Sequence, residues 1–235
     1  MNGPSSNALC VIPARGGSRR IPRKNLRSFH GRPMIAWSIS TALESELFSR
    51  VVVSTDDEEV AALARAEGAL TPFERPAALA DDHTPTAPVV AHAIEECEAL
   101  WGEQSLVCCL YATAPFALPE DLAAALALLK SSGADYALPV TTFPFPIQRS
   151  VRLRTDGRIE MFSPEHALTR SQDLEEAYHD AGWFYWGRRA AWLADKSVLG
   201  TGAAGLQVPR NRVQDIDTEE DWARAEKLFA LLGES

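Results

Sequence analysis

Several absences narrow the chemistry open to this 235-residue sequence. No apolar run approaches the ~20 residues that a membrane span needs, and residues 1–7 have neither the charged nor the apolar region of a secretory signal. A cytoplasmic protein without membrane contact is therefore expected. Cysteine is scarce. Cys10, Cys97, Cys108 and Cys109 form no C-x-x-C pair, and three of them lie in apolar runs where a thiol is an ordinary small core residue. All four are read as reduced. The five histidines fall in no H-E-x-x-H or paired spacing, which argues against zinc. Ser18 is not in a G-x-S-x-G elbow, and no histidine is placed by sequence to activate it. There is no internal repeat and no low-complexity segment.

Acid is missing from one place in a chain whose net charge is −9. Residues 15–32 hold seven Lys or Arg and not one Asp or Glu. A general nucleic-acid or membrane binder carries a basic face over most of a domain, and the acidic balance excludes that here. The local excess fits a small phosphate ligand better than a long polyanion, with a solvated basic loop as the plain alternative. The stretch follows an apolar run of strand type at residues 8–14. It is neither a Walker loop nor a dinucleotide G-x-G-x-x-G. Even so, Gly16 and Gly17 let backbone N–H groups approach phosphate oxygens. Arg15, Arg19 and Lys24 supply charge, Arg as a planar fork and Lys as a compact point.

The rest of the chain alternates between two periodicities. A helix is expected from Pro33 to Glu44, with Ile35, Ile39, Ala42 and Leu43 on one face. A buried strand at 50–54 leads to an acidic helix start at Thr55–Glu59 that runs to Glu67 and stops at Gly68. Residues 71–88 are irregular and proline-rich. Then come a helix at about 88–100, a strand at 105–111, a helix at 120–130 and a strand at 135–141. An aromatic strand at 182–186, an extended stretch at 213–217 and a helix at about 218–232 close the chain. This order predicts an α/β fold with a mainly parallel sheet flanked by helices, in one domain spanning 1–235. The 46% hydrophobic content is enough to fill its core.

Two further features carry chemistry. On an extended chain Asp215 and Asp217 point to the same face, where two carboxylates can grip one cation. Mg²⁺ suits them, since it takes one or two carboxylates, waters and substrate phosphates. The alternative is that Asp217 caps the last helix, with Glu220 completing a capping box. The second feature is the insertion at about 142–181. It is too structured for a linker and too poor in core residues for a domain, and Asp156-Gly157 signals a hairpin within it. It is read as a flap or dimer arm laid over the active face. Its Gln148, Arg149, Arg170, Gln172, His179 and Asp180 give it a polar, partly basic character, and a basic flap over a phosphate loop would suit a second substrate bearing a carboxylate.

Pro13-Ala-Arg-Gly-Gly-Ser-Arg-Arg-Ile-Pro-Arg-Lys-Asn25 resembles the signature of the CMP-sialate synthetases (acylneuraminate cytidylyltransferases). Val52–Asp56, Arg75-Pro76 and Asp215–Thr218 follow in the family's order, so the resemblance covers nearly the whole chain. Residues 142–148 and 170–182 look most like the pseudaminic acid cytidylyltransferase branch. The resemblance implies a Rossmann-like nucleotidyltransferase with an inserted dimerisation arm, usually a homodimer. It also implies transfer of CMP from CTP to a nine-carbon 2-keto acid sugar, with Mg²⁺. Arg15, Ser18 and Lys24 match positions that hold the triphosphate, alongside Ala14 and Gly16 of the same loop. Asn25, Arg75 and Thr86 match those that recognise cytidine. Asp215 and Asp217 match the metal carboxylates, and Arg170 matches a sugar-side arginine. Arg15, Lys24 and Asp217 would act on the reacting phosphates, and Tyr111, Gln148, Gln172 and His179 would join Arg170 on the sugar. Tyr111 and His179-Asp180 depart from the sialate pattern, which turns the expected acceptor away from ordinary sialic acid. Kdo-type, legionaminic or sialic acids remain alternative acceptors. A D-x-D glycosyltransferase and a nucleotide sensor remain alternative classes.

Overall fold

The computed structural model describes residues 7–81 and 84–233, so most of the stretch read above for a secretory signal lies outside it. The strands and helices run in the order β1 (Ala8–Pro13), β2 (Ser28–Phe29), β3 (Arg32–Pro33), α1 (Met34–Glu44), β4 (Arg50–Ser54), α2 (Glu58–Ala66), α3 (Thr86–Trp101), β5 (Leu106–Leu110) and α4 (Pro119–Ser132). They continue with β6 (Tyr136–Thr142), β7 (Val151–Leu153), β8 (Ile159–Met161), β9 (Tyr178–Asp180), β10 (Phe184–Arg188), α5 (Arg189–Leu193), β11 (Ala203–Gln207) and α6 (Glu219–Gly233). The main sheet has the order β11-β6-β10-β5-β1-β4, with β9 paired to the end of β6.

Alternation along the strands builds two apolar layers. Ala8, Cys10 and Ile12 of β1 join Ile35, Ile39, Leu122, Leu126 and Trp222 on the face covered by α1, α4 and α6. Leu9 and Val11 point the other way, to Val90, Ile94 and Cys97 of α3 and Trp192 of α5. The four cysteines are free and buried within these layers, as the reduced reading expects. Burial pushes the Cys97 thiol up to about 12, so it stays protonated and unreactive. Among the described residues, no helix is long and apolar enough to cross a membrane.

The sheet departs from the expected pattern in three places. The aromatic strand β10 runs antiparallel between β5 and β6, while β1–β4, β1–β5 and β6–β11 are parallel. β11 carries no strand signature in the sequence because its residues are small: a side chain at Gly205 would meet Val140 Cγ2 at 2.9 Å. The run Gly200–Gly205 even spells G-x-G-x-x-G, yet it leads into a strand and opens no helix, so it is no dinucleotide motif. Residues 213–217 form no strand.

The insertion is built from its turn outward. Gly157, at φ +80°, closes the β7–β8 hairpin. Its return leg joins the main sheet as β9, pairing Val140 with Asp180 and Thr142 with Tyr178. Large apolar side chains along it stand exposed: Phe145 is 79% accessible, Leu153 75%, Ile159 68% and Leu168 97%.

Candidate active site

Two open chambers of about 620 and 600 Å³ adjoin each other at the ends of β1 and β5. The first is walled by Arg15, Ser18, Arg19, Arg20, Asn25 and Thr86. The second is walled by His179, Asp180, Gly182, Tyr185, Gln214 and Asp215. Lys24, Tyr111, Thr113 and Asp217 line both.

Local bonding explains the shape of the basic loop. The backbone of β1 continues through Ala14, whose N–H donates to Ser54 O at 2.9 Å. Gly16 donates its N–H to Asp56 Oδ1 at 3.0 Å, and a Cβ there would lie 2.8 Å from Asp57 Cβ, so only glycine fits. Three of the seven cations are anchors. Arg23 pairs with Asp57 at 2.9 Å and with Glu59. Arg27 reaches Glu219 at 2.7 Å and lies over the Trp222 ring, and Arg32 holds Glu67 at 3.0 Å. The other four face the first chamber. Asn25 fastens the loop by donating its amide to Arg15 O at 3.0 Å.

Lys24 is the cation among the groups common to both chambers. Its Nζ donates to Ile216 O at 2.6 Å and stands 3.5 Å from Asp217 Oδ1. Burial lowers its pKa, and the Asp217 carboxylate opposes that shift. Arg20 also reaches Asp217, at 3.0 Å, but this pair is largely exposed and holds the carboxylate only weakly. Asp217 does not cap the last helix. Thr218 does: its Oγ1 accepts the Asp221 N–H at 3.2 Å, and Asp221 Oδ2 accepts the Thr218 N–H at 2.9 Å. The capping alternative for Asp217 is thereby corrected, and its carboxylate is left to the chambers.

Asp215 and Asp217 fit a divalent cation by the chemistry of the pair. Desolvation raises the Asp215 pKa and the neighbouring Asp217 charge adds to it, a strain that a cation would relieve. Among the described residues no third His, Cys, Asp or Glu joins them. A Mg²⁺ ion held there would take its remaining ligands from water and substrate phosphates, which is its usual habit.

The phenols form the far wall. Ser38 of α1 clamps the start of the Tyr111–Ala114 turn, donating its hydroxyl to Tyr111 O at 2.8 Å. Tyr111 OH meets Thr86 Oγ1 at 3.1 Å, and burial pushes the Tyr111 phenol up to about 12. Its ring meets Tyr185 edge-on at 5.5 Å, and Tyr185 O–H donates to Asp180 Oδ2. His179 engages Asp180 O through Nδ1 at 2.8 Å and packs edge-on against Phe143.

Of the expected residues, Arg15, Ser18, Lys24, Asn25, Thr86, Tyr111, His179, Asp215 and Asp217 come together on these walls. Ala14 and Gly16 lie behind the first chamber and shape its loop. Arg75 is buried: its guanidinium holds Ser54 Oγ at 3.1 Å as well as Ser54 O, and burial lowers it to about 10. It supports β4 from within and is no part of either wall. The arm residues also stand apart. Gln148 donates to Glu175 O at 2.9 Å, Arg170 pairs with Asp173 at 2.8 Å, and Gln172 lines a separate hollow of about 320 Å³ beside Phe143 and Phe145. Arg19 and Asp180, which the sequence offers as charged and polar candidates, also stand on the walls, and Arg20, Thr113 and Tyr185 complete them without a binding role expected from the sequence. The alternation of the aromatic strand could have flagged Tyr185, while nothing local distinguishes Arg20 from Arg23.

A family model described as cytidylyltransferase matches residues 9–201. A pseudaminic acid cytidylyltransferase of Campylobacter jejuni subsp. jejuni serotype O:2 is 43% identical over 227 residues, covering 97% of this chain and 98% of that one. A CMP-N,N'-diacetyllegionaminic acid synthase of Legionella pneumophila subsp. pneumophila is 32% identical, with 95% and 96% covered. In fold, the chain is similar to a CMP:2-keto-3-deoxy-manno-octonic acid synthetase solved with CTP, at a TM-score of 0.72, 21% identity and coverage of 97% and 100%. A family model over residues 9–201 and a relative 43% identical over nearly the whole of both chains agree: the chain belongs to the cytidylyltransferase family.

Proposed function

We propose that the chain, as one nucleotidyltransferase domain carrying an arm at about 142–181, transfers CMP from CTP to a nine-carbon 2-keto acid sugar of the pseudaminic type and releases pyrophosphate. The observation that carries this is the pair of chambers sharing Lys24, Tyr111, Thr113 and Asp217. A transfer between two substrates needs their reacting atoms at one boundary, and these residues line it.

CTP enters the first chamber, where Arg15, Arg19, Arg20 and Lys24 face its triphosphate. Asn25 and Thr86 lie on the same wall, on the nucleoside side. The sugar enters the second chamber with its anomeric hydroxyl toward Lys24. That hydroxyl attacks the α-phosphorus in line, and pyrophosphate leaves along the cationic wall, so positioning and charge neutralisation carry the catalysis. Asp215 and Asp217 would hold a Mg²⁺ ion, which would supply Lewis acidity to the α-phosphoryl group and lower the pKa of the attacking hydroxyl. No covalent nucleophile is needed.

The chain works as a homodimer in the cytoplasm. The arm's exposed apolar side chains and the distance of Gln148, Arg170 and Gln172 from the chambers support an arm that completes the partner subunit's site. Purified protein with CTP, Mg²⁺ and pseudaminic acid should release pyrophosphate and sediment as a dimer. No release with any nine-carbon keto acid would overturn the activity. Faster turnover of legionaminic acid, suggested by the Legionella relative, would move the acceptor alone.

A further inference from the structure

Asp180 is an anchored carboxylate that neither the phosphates nor the metal pair accounts for. It ends β9 and is held in register opposite Val140 of β6. Its Oδ1 accepts the Gly182 N–H at 2.8 Å, and its Oδ2 accepts the Tyr185 O–H. The backbone carbonyl of the same residue accepts the His179 Nδ1–H at 2.8 Å. Two bonds therefore fix the side chain on the wall of the second chamber, and the third holds the backbone beneath it. Among the described residues no Lys, Arg or His forms an ion pair with it.

A carboxylate has about four lone-pair sites, and two of these are taken. The remaining sites accept and cannot donate. They repel phosphate and carboxylate oxygens and attract O–H or N–H groups. Lys24 lines the same chamber, 3.5 Å from Asp217 Oδ1, and Asp215 lines it too. Among the described lining residues Lys24 is the one Lys or Arg, and Asp180 is the carboxylate on the β9–β10 side.

We propose that Asp180 is a specificity-determining residue for the acceptor, taking hydrogen bonds from a donor-bearing flank of the sugar, an acylamido N–H or a ring-side-chain hydroxyl, while the sugar's acid group points to Lys24. Tyr185 is its positioning residue: the phenol orients the carboxylate and is itself braced edge-on by Tyr111. The inference rests on the acceptor occupying the second chamber, as the proposed function has it.

Steady-state kinetics with CTP and pseudaminic acid test it in three proteins: wild type, Asp180→Asn and Tyr185→Phe. Asp180→Asn keeps the shape but loses charge and one acceptor. It should raise KM for the sugar roughly 10–100-fold, as expected for a hydrogen bond to a charged group. KM for CTP should stay within about twofold, since Asp180 is absent from the first chamber. Tyr185→Phe should raise the sugar KM by a smaller factor in the same direction. An N-deacylated or deoxy acceptor lacking the donor read by Asp180 should show no further loss in Asp180→Asn, a result that a merely structural role would not produce. An unchanged sugar KM in both variants would overturn the inference, as would an equal rise in both substrates' KM values. If the wild type itself forms no CMP-sugar, the activity falls first and the assignment of Asp180 falls with it.

Discussion

The two chambers that meet at Lys24 are built on opposite principles. The first is dominated by one charge: four cations on one loop share its wall with the carboxylate of Asp217, and the loop's other three cations are tied to Asp57, Glu59, Glu67 and Glu219. The second is mixed, with carboxylates at Asp180 and Asp215, phenols at Tyr111 and Tyr185 and an imidazole at His179. A wall of one charge recognises phosphate whatever is attached to it, and many phosphorylated ligands would satisfy it. A wall of spaced donors and acceptors rejects whatever leaves its buried groups unpaired, which is the stronger source of discrimination. Binding strength is thus expected from the first chamber and choice of acceptor from the second.

Substitutions can break or sharpen this division. Lys24→Ala strikes the boundary and should be the most damaging, lowering turnover roughly 10²–10³-fold in a pyrophosphate-release assay. If only one substrate's KM moved, the boundary role of Lys24 would be wrong. Asp217→Ala should cost about 10²-fold in turnover and much less in CTP affinity measured by calorimetry, because charge develops in the transition state. Thr218→Ala provides the contrast. It removes the cap of α6 and should lower stability by about 0.5–2 kcal/mol in denaturant melts, with kinetic constants nearly intact. Gly16→Ala should raise KM for CTP and leave the sugar KM alone, since it forces Asp57 aside behind the first chamber only, at a stability cost of about 1–3 kcal/mol.

Asp215→Asn should give the smallest change in stability. The Asp215 pKa is raised in the fold, so the folded protein binds that proton more tightly than the unfolded chain. The stability this lends is present at low pH and is lost as pH rises through the raised value. Without added metal the variant should therefore melt slightly higher than wild type at neutral pH, by no more than ~1 kcal/mol given solvent screening, and equally at acid pH. A lower melting temperature at neutral pH would mean that Asp215 contributes attraction elsewhere.

What could be read in advance follows the same division. The first chamber is one contiguous segment, so its charge excess, its glycine and its Lys24-Asn25 stand together in the sequence. The parallel strands β1, β4, β5 and β6 were legible for a similar reason, as buried strands separated by helices of ordinary periodicity. The second chamber is assembled from Lys24 and segments at 111–113, 179–185 and 213–217, and no local pattern says that Asp180 and Asp215 share a chamber. β11 escaped because packing against Val140 demands glycine, which erases the β-propensity that would announce a strand. Arg75 is a different case. A basic residue in the expected family position is buried beneath β4, where its hydrogen bonds are spent on Ser54.

The bond between Lys24 and Ile216 also bears on how the protein is made. The ammonium of Lys24 rests on the carbonyl of Ile216, 192 residues further along, and Arg27 and His30 reach Glu219 and the backbone of Glu226 across similar separations. During synthesis the basic loop emerges 192 residues ahead of its partner and must wait for it. The boundary between the chambers is thus among the last parts to form, because contacts of such long range gain nothing until the loop between them closes. A ribosome-bound chain halted before residue 216 could carry the phosphate loop, and it would still lack the wall on which the reaction depends.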